Sequence, residues 1–572
     1  MNYIDLIVLF GTLLFIVSYG VWKTRGQKDL EGYLLGGHSM KWGTIGLSVM
    51  ATQASAITFI STPGQAYDSG MGFVQNYFGQ PLALIVVSAV FIPIFYRLKV
   101  YTAYEFLERR FDTKTRFLGA FIFLVQRGLA AGITIYAPAI IISSILGWDL
   151  TLTILCTGIL VIIYTVSGGT KAVSITQKQQ MAVILAGMFA AFFMLIGYIQ
   201  DHTTFAGALE IAGNLGKLEV VNLDFDITER YTIWSGLAGG FFLALAYFGT
   251  DQSQVQRYIG GANASESRMG LMFNAMLKIP LQFFILFTGV MVYVFYIFYQ
   301  PPMHFKETSV QIVKESQYYE EYRDLDHEYA HAMEKRKAAA LTIAGGGLSE
   351  YDEKIYTEQL VDADQETLAI RERAKEIIRK ADSSLKTKDS DYVFLTFVIT
   401  YLPHGLIGLL IAVIFSAAMS STSSELNALA STTSVDFYKR IVKQDGSPHH
   451  YLNVSKGLTF AWGVLAILFA ILAKNSENLI EAVNIIGSIF YGTILGIFLT
   501  AFFLKWVKGN AVFFAAVITQ VAVIVIHFLT EAGFFELSYL LYNVIGCLGT
   551  MILSAIFSLF SLNGEKAGSL SD

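Results

Sequence analysis

Long apolar runs separated by short polar segments make up most of this chain. Because a helix crosses the hydrocarbon core of a bilayer in about 20 residues, these runs predict about thirteen transmembrane helices. The expected fold class is therefore an all-α membrane protein. The predicted spans lie at 3–22, 42–66, 74–96, 117–143, 151–168, 175–200, 231–255, 270–299, 404–437, 452–473, 479–504, 510–530 and 537–561.

Basic residues favour one side of the predicted membrane. Lys23, Arg25 and Lys28 follow the first span, whereas the loops near 67–73 and 144–150 contain no Lys or Arg. The first span has no basic segment before it and no small-residue cleavage site after it, so we expect it to be retained. The positive-inside rule predicts an integral protein of the plasma (inner) membrane with its N-terminus outside and its C-terminus cytoplasmic.

Charge is concentrated in one segment. Hydrophobic residues make up 54% of the 572 positions and charged residues only 15%, whereas a soluble chain has roughly a quarter charged. Residues 304–392 nevertheless contain 34 of the 85 charged residues. We predict an extracytoplasmic helical insert there, with polar helices at 307–337 and 350–380. It is either a solvated cap or a surface that docks a protein partner or guides substrate.

Two apolar spans contain polar side chains where Leu and Val are usual. Positions 420–424 of the ninth span are all Ser or Thr, and Glu425 follows. The second span is rich in small and hydroxyl residues over 48–61, which is typical of a helix that can unwind. Hydroxyls and released carbonyls are hard ligands, so the pair predicts a sodium site. The alternatives are close helix packing and hydroxyls bonded to their own helix.

Arg127 lies about eleven residues into the fourth span, near mid-depth. A permanent charge at that depth needs a partner. Its planar fork suits the carboxylate of a substrate. Internal pairing with backbone carbonyls or with Glu425 is the alternative.

Four short motifs occur in order along the chain, and through them it resembles the sodium:solute symporter family, which includes sodium/galactose, sodium/proline, sodium/sialic acid, iodide and monocarboxylate carriers. The motifs are Gly168-Gly169-Thr170-Lys171-Ala172-Val173 with Thr176 and Gln180, Asp251-Gln252 with Val255-Gln256-Arg257, Ser420-Ser421 with Ser423 and Asn427, and Val435-Asp436-Phe437-Tyr438.

The resemblance implies a LeuT-like fold in which spans two to six and seven to eleven form inverted repeats of five helices. It divides the chain into a leading helix (1–30), the first repeat with the start of the second (42–303), the insert (304–392), the rest of the second repeat (393–505), and two trailing helices with a cytoplasmic tail (506–572).

The resemblance also implies a set of sodium ligands. These are the carbonyl oxygens of Ala51, Ala54 and Ala417 and the hydroxyls of Ser420 and Ser421.

A second cation site is less regular. Some family members supply an Asp where this chain has neutral Gln177. We hypothesise that Glu425 supplies the missing carboxylate, forming a second cation or proton site with the polar residues Gln177, Gln180, Ser423 and Ser424. Alternatively, Glu425 has only a structural role, facing a cytoplasmic vestibule or bonding to Gln177.

Residues at the family's sugar-binding positions are mostly different here. Ala244 and Tyr77 stand where the galactose carrier has polar partners, which weakens a hexose interpretation. Tyr247 matches the aromatic gate of the family, and Lys278 is expected to snorkel at the cytoplasmic end. The predicted substrate residues are Gln53, Thr58, Tyr77, Gln80, Arg127, Tyr247, Phe248 and Asn484.

No P-loop, nucleophile elbow or His/Cys cluster is apparent, so we expect neither an enzyme nor an ATP-driven pump. The predicted function is secondary active symport of sodium, the only expected cofactor, with a small polar and anionic organic solute. The expected partners are that solute and the lipid bilayer, with no nucleic acid. The alternatives are a transport-fold sensor that uses the insert, a sodium/sugar symporter, or an ion channel.

Overall fold

A computed structural model describes residues 2–24, 38–226, 228–229, 231–385, 387–472 and 479–561. Regular structure in these ranges is helical apart from one isolated bridge between Met40 and Gly261. The α-helices are α1 Tyr3–Thr24, α2 Trp42–Gln53, α3 Ala56–Ser69, α4 Gln80–Val86, α5 Ile92–Leu98, α6 Glu105–Arg110, α7 Thr113–Leu146, α8 Leu150–Gln200, α9 Phe205–Asn214, α10 Gly240–Gly249, α11 Gln252–Ile259, α12 Ala264–Phe298, α13 Glu307–Lys314, α14 Tyr319–Ala344, α15 Glu350–Ala381, α16 Ser390–Tyr401, α17 Leu406–Thr432, α18 Pro448–Leu472, α19 Leu479–Phe503, α20 Gly509–Glu531 and α21 Leu541–Ser561.

Apolar helices occur where the spans are predicted. Within the described ranges, nine helices are long and apolar enough to cross a membrane. Three shorter apolar helical stretches also match predicted spans, namely Tyr3–Ile16 within α1, Leu150–Val166 within α8, and Ser235–Gly249. The all-α membrane class is therefore confirmed.

One predicted loop is wrong. The spans predicted at 151–168 and 175–200 lie in a single uninterrupted helix, α8, of 51 residues. Glycine weakens a helix by about 1 kcal/mol but keeps its backbone N–H. The glycine pair at 168–169 therefore does not end the hydrogen-bond ladder as a proline would.

Two of the predicted spans are broken, the second near its middle and the seventh near its end. α2 ends at Gln53 and α3 begins at Ala56, which leaves Ala54 and Ser55 outside the helix. The second break lies between α10 and α11, at Thr250 and Asp251. The break in the second span is the one that its small residues predict.

The helix with the serine run lies at the centre of the molecule. Every residue of α17 from 410 to 432 is buried, and the helix packs against α8, α7 and α1. A helix that is buried on all sides needs no polar face toward solvent. Its hydroxyls must therefore find partners inside the protein.

The insert forms a small helical unit with its own core, which includes Leu325, Tyr329 and Ile377. The predicted helix at 307–337 is divided into α13 and α14. Ser316 explains the division, because its hydroxyl accepts from Tyr318 N at 3.1 Å and donates to the Val313 carbonyl at 2.8 Å. Hydroxyls of this kind compete with the helical ladder.

α16 follows the insert and holds it against the outer half of the first broken span. A Cβ on Gly64 of α3 would lie 1.9 Å from the Ser390 carbonyl oxygen. Only glycine permits this approach of two backbones. The insert is thus fixed directly to α3.

Candidate functional site

The first break releases carbonyl oxygens beside the serine run. The last rung of α2 is the bond from Ala54 N to Met50 O at 2.8 Å, so the Ala51 and Ala54 carbonyls lie beyond the ladder. Ser421 Oγ of α17 donates to Thr52 O at 3.1 Å. This bond brings the end of α2 against α17, as the predicted sodium site requires.

The Gln177 side chain of α8 completes this arrangement. Its amide nitrogen donates to Ser420 Oγ at 2.7 Å, to Ser424 Oγ at 3.2 Å and to Thr52 Oγ1 at 3.2 Å. Ser48 Oγ donates to its amide oxygen. A serine oxygen that accepts this N–H keeps a second lone pair for a cation. Gln177 can therefore orient the Ser420 hydroxyl.

The structure brings together only part of the predicted second cation site. Gln177 and Ser424 are in contact, but Ser423 Oγ donates to Ser420 O of its own helix at 3.0 Å. Neither side-chain polar atom of Gln180 has a partner among the described residues. Glu425 does not join Gln177; it faces Arg127 instead.

Arg127 lies in a buried cluster of charges. Its guanidinium donates to Glu425 Oε1 at 3.0 Å and also contacts Asp251 and the Tyr491 hydroxyl. The Tyr491 hydroxyl donates to Asp251 at 2.6 Å. The structure therefore brings Arg127 and Glu425 together, as one of the two predicted alternatives has it. It adds Asp251, from the second break, as a further partner.

A cavity of about 140 Å³ lies between the two broken spans. Thr52 and Ser421 line it on the sodium side, and Glu425 and Tyr491 on the side of the charged cluster. The lining includes all eight residues predicted for the substrate, which are Gln53, Thr58, Tyr77, Gln80, Arg127, Tyr247, Phe248 and Asn484.

Lys278 of α12 also lines the cavity, which the sequence interpretation missed. Its side chain is buried, and its ammonium lies 5.1 Å from the centroid of the Tyr77 ring. Among the described residues, no carboxylate forms an ion pair with it. Lys278 lies well inside the predicted span 270–299, and this position indicates a charge within the membrane rather than a side chain that snorkels to the surface. The sequence therefore contained a signal for this residue.

Several amide groups that line the cavity have no hydrogen-bond partner among the described residues. They include the donor nitrogens of Gln80 and Asn484 and the acceptor oxygens of Gln53, Asn76 and Gln126. Buried polar groups are normally paired. Unpaired groups around one cavity indicate a polar ligand.

The model of the Sodium:solute symporter family matches residues 33–315 and 379–527 of this chain. The chain is 26% identical to human sodium-coupled monocarboxylate transporter 2 over 98% of this chain and 84% of that protein. It is 26% identical to the sodium/sialic acid symporter of Proteus mirabilis over 97% of this chain and 95% of that protein. It is 32% identical to the human sodium/iodide cotransporter over 50% of this chain and 44% of that protein.

A solved structure, described as the substrate-bound outward-open state of a Na+-coupled sialic acid symporter, superposes on this one with a TM-score of 0.74. The two share 24% sequence identity, and the match covers 98% of each chain. The likeness shows the LeuT-type fold that the motifs predict.

Proposed function

Because the chain belongs to the sodium:solute symporter family and is therefore an integral membrane protein that couples solute transport to sodium, we propose that it imports a small organic monocarboxylate. Transport proceeds by alternating access, with the N-terminus outside and the C-terminus in the cytoplasm. The observation that carries the proposal is the Lys278 ammonium in the central cavity, without an ion pair among the described residues.

Charge balance assigns the anion to Lys278 rather than to Arg127. Arg127 already has two carboxylate partners, Asp251 and Glu425. With Lys278 included, two cations face two carboxylates around the cavity. One sodium and one carboxylate then enter together without leaving a net buried charge, which a low-dielectric site strongly disfavours.

The size and polarity of the cavity favour a small solute. Its volume of about 140 Å³ lies below the roughly 300–1,000 Å³ typical of sites for drug-sized ligands. The donor nitrogens of Gln80 and Asn484 can supply hydrogen bonds to carboxylate oxygens beside the Lys278 ammonium. The relatives named above are transporters of monocarboxylate, iodide and sialic acid, all of which are anions.

Sodium binding joins two elements that also bound the cavity. The proposed ligands are the Ala51, Ala54 and Ala417 carbonyls with the Ser420 and Ser421 hydroxyls, from α2 and α17. A cation held by both helices stabilises the arrangement in which the cavity is formed. If the solute favours the same arrangement, each ligand tightens the other by an equal factor at equilibrium.

We further propose that one sodium ion is used per cycle. The second site lacks its carboxylate, because Glu425 is paired with Arg127. A cation lies nearby instead: Arg257 donates to Ser174 Oγ at 3.2 Å, and Ser174 Oγ lies 3.3 Å from Ser48 Oγ, which donates to Gln177. A fixed positive charge three hydrogen bonds from Gln177 opposes a second sodium.

The test is sodium-driven uptake of labelled monocarboxylates, sialic acid and hexoses into proteoliposomes. We expect uptake of small monocarboxylates only, with its loss in Lys278→Gln. The control is Lys505→Gln, which changes an exposed lysine outside the cavity and should leave uptake unchanged. Uptake of a neutral hexose, or full monocarboxylate uptake by Lys278→Gln, would overturn the proposal.

A further inference from the structure

A second cavity, of about 190 Å³, lies where the insert meets the transport core. The core contributes Tyr67 and Asp68 from the outer end of α3, Tyr293 from α12, and Lys217 from the turn after α9. The insert contributes α14 and α15. Residues 316–378, which contain almost all of these two helices, lie outside the ranges that match the family. The insert therefore adds one wall to the cavity, and that wall lies outside the family match.

The added wall contains two buried arginines, of which one is incompletely paired. Arg371 donates from Nη2 to both carboxylate oxygens of Asp389, at 3.0 and 2.9 Å, and from Nε to Met303 O at 3.2 Å. Arg336 lies 2.9 Å from Asp364 through Nε. The Nη2 group of Arg336 has no hydrogen-bond partner among the described residues, although the residue is only 3% exposed.

Lys217 brings a third cation to the cavity from the core side. Its ammonium donates to Tyr67 O at 3.0 Å and to Asp68 O at 2.8 Å, and it lies 4.3 Å from the centroid of the Tyr293 ring. An ammonium has three N–H donors, so one remains after these two bonds. Burial lowers the pKa of Lys217 to about 8, as expected where nearby acids do not offset the loss of water.

The charges that face the cavity are mainly positive. Four cations line it, namely Lys217, Arg336, Arg371 and Lys375. Among the residues that the structure describes, the carboxylates in the lining are Asp68 and Glu372, whereas Asp364 and Asp389 pair with the arginines and do not line the cavity. Glu372 is itself paired with Lys375, at 2.7 Å.

We propose that this cavity is an outer binding site for a small carboxylate anion, separate from the central cavity and built by the insert. The Arg336 Nη2 group, the remaining Lys217 N–H and the Lys375 ammonium bind the anion. The charge-assisted hydrogen bonds from the guanidinium give it orientation. Three tyrosines, Tyr67, Tyr293 and Tyr329, also line the cavity.

A bound anion would connect the insert to the outer half of the first broken span. Tyr67 and Asp68 belong to α3, which is that outer half, whereas Arg336 and Lys375 belong to the insert. An anion bound by the insert beside these α3 residues would hold α3 from outside. The central cavity still carries the transported solute.

The test uses the full chain in nanodiscs with Lys278→Gln, so that the central cavity does not contribute to binding. Titration with acetate or lactate should still show one binding event by calorimetry. Arg336→Lys keeps a positive charge beside Asp364 but removes the Nη2 group that would bind the anion. It should weaken binding at least about tenfold. Lys375→Gln should weaken it less.

The matched control is Arg373→Gln, on the same helix as Lys375. Arg373 is exposed and pairs with Glu328 at 2.7 Å outside the cavity. The Arg373→Gln variant should bind the anion with the same affinity as the Lys278→Gln protein from which it is made. Absence of any binding event in the Lys278→Gln protein, or equal affinities in Arg336→Lys, Lys375→Gln and Arg373→Gln, would overturn the proposal.

Binding at this site should also depend on pH. On the neighbouring elements, Lys217 faces the tyrosines and charged side chains Tyr67, Asp68, Tyr293, Arg336, Asp364 and Arg371. Because only its charged form attracts an anion, affinity should fall as pH rises through about 8. Lys217→Gln should give weaker binding with no such fall, and a fall that persists in that variant would contradict the assignment.

Discussion

The two broken spans differ in chemistry although both bound the central cavity. The first break, at Ala54 and Ser55, is neutral: carbonyls leave the ladder there, and hydroxyls and an amide surround them. The second break, at Thr250 and Asp251, is charged. Asp251 accepts from Ser253 N and Oγ at 2.8 and 2.6 Å and contacts Arg127.

The difference separates two tasks. A neutral break with free oxygens can accept a cation without giving up an existing ion pair. A break whose carboxylate is already paired is a rigid support, since removing either charge leaves the other buried alone. We infer that the first break binds sodium and the second holds the cavity wall in place. The following changes test that division.

The largest effect is expected for Arg127→Gln. It leaves Asp251 and Glu425 buried without their cation, and breaking a buried pair of this kind costs about 3–5 kcal/mol. The thermal unfolding midpoint in detergent should fall sharply. Adding Glu425→Gln and Asp251→Asn should restore part of the loss, whereas an unchanged midpoint in the single variant would show that the second break does not depend on its charges.

Loss of both sodium-site hydroxyls, in Ser420→Ala with Ser421→Ala, should come next. A hydrogen bond to a charged group contributes about 1.5–3 kcal/mol, and a hard ligand to sodium is comparable. Sodium affinity should fall at least about tenfold per hydroxyl. The unfolding midpoint should fall less than in Arg127→Gln, because the change removes only the bonds of these serines to Gln177 and Thr52. Ser423→Ala is the control, because that hydroxyl bonds within its own helix. Full sodium-driven accumulation by the double variant would refute the site.

Gln177→Asp should add a carboxylate to the neutral break. If the amide is the reason for a single sodium, the Hill coefficient for sodium should rise from about 1 toward about 2, since it is bounded by the number of coupled sites. Gln177→Asn keeps the amide and should not raise it. A wild-type coefficient already near 2 would contradict the one-sodium proposal.

The smallest effects distinguish the breaks most finely. Ser253→Ala removes one hydrogen bond to Asp251, and Thr58→Val removes the bond from Thr58 Oγ1 to Gln53 O at 3.2 Å. Each should cost about 1 kcal/mol of stability. Only Thr58→Val should change sodium affinity, because its bond holds the carbonyls next to Ala54. A sodium effect of Ser253→Ala would show that the two breaks are coupled.

Local composition predicted much of the site. The broken second span and the serine run were recognisable because small and hydroxyl residues are unusual at mid-membrane. The cavity lining was predicted at eight positions, Arg127 from its charge at mid-depth and others from the resemblance. The pairing of Arg127 with Asp251 was not predicted, because Asp251 was identified only as part of a motif and not as a buried charge. The structure does not place Glu425 beside Gln177, as one alternative had it, because Glu425 faces Arg127 instead.

The sequence alone determined the membrane class, the predicted spans, the insert and the residue types that a sodium site needs, because hydrophobic period and rare polar residues are local properties. Only the tertiary structure decided which polar residue meets which. Side chains in one short run, such as Ser420, Ser423 and Glu425, point around a helix toward different neighbours. Which neighbour each one meets depends on how distant helices cross, and chain position does not encode that directly.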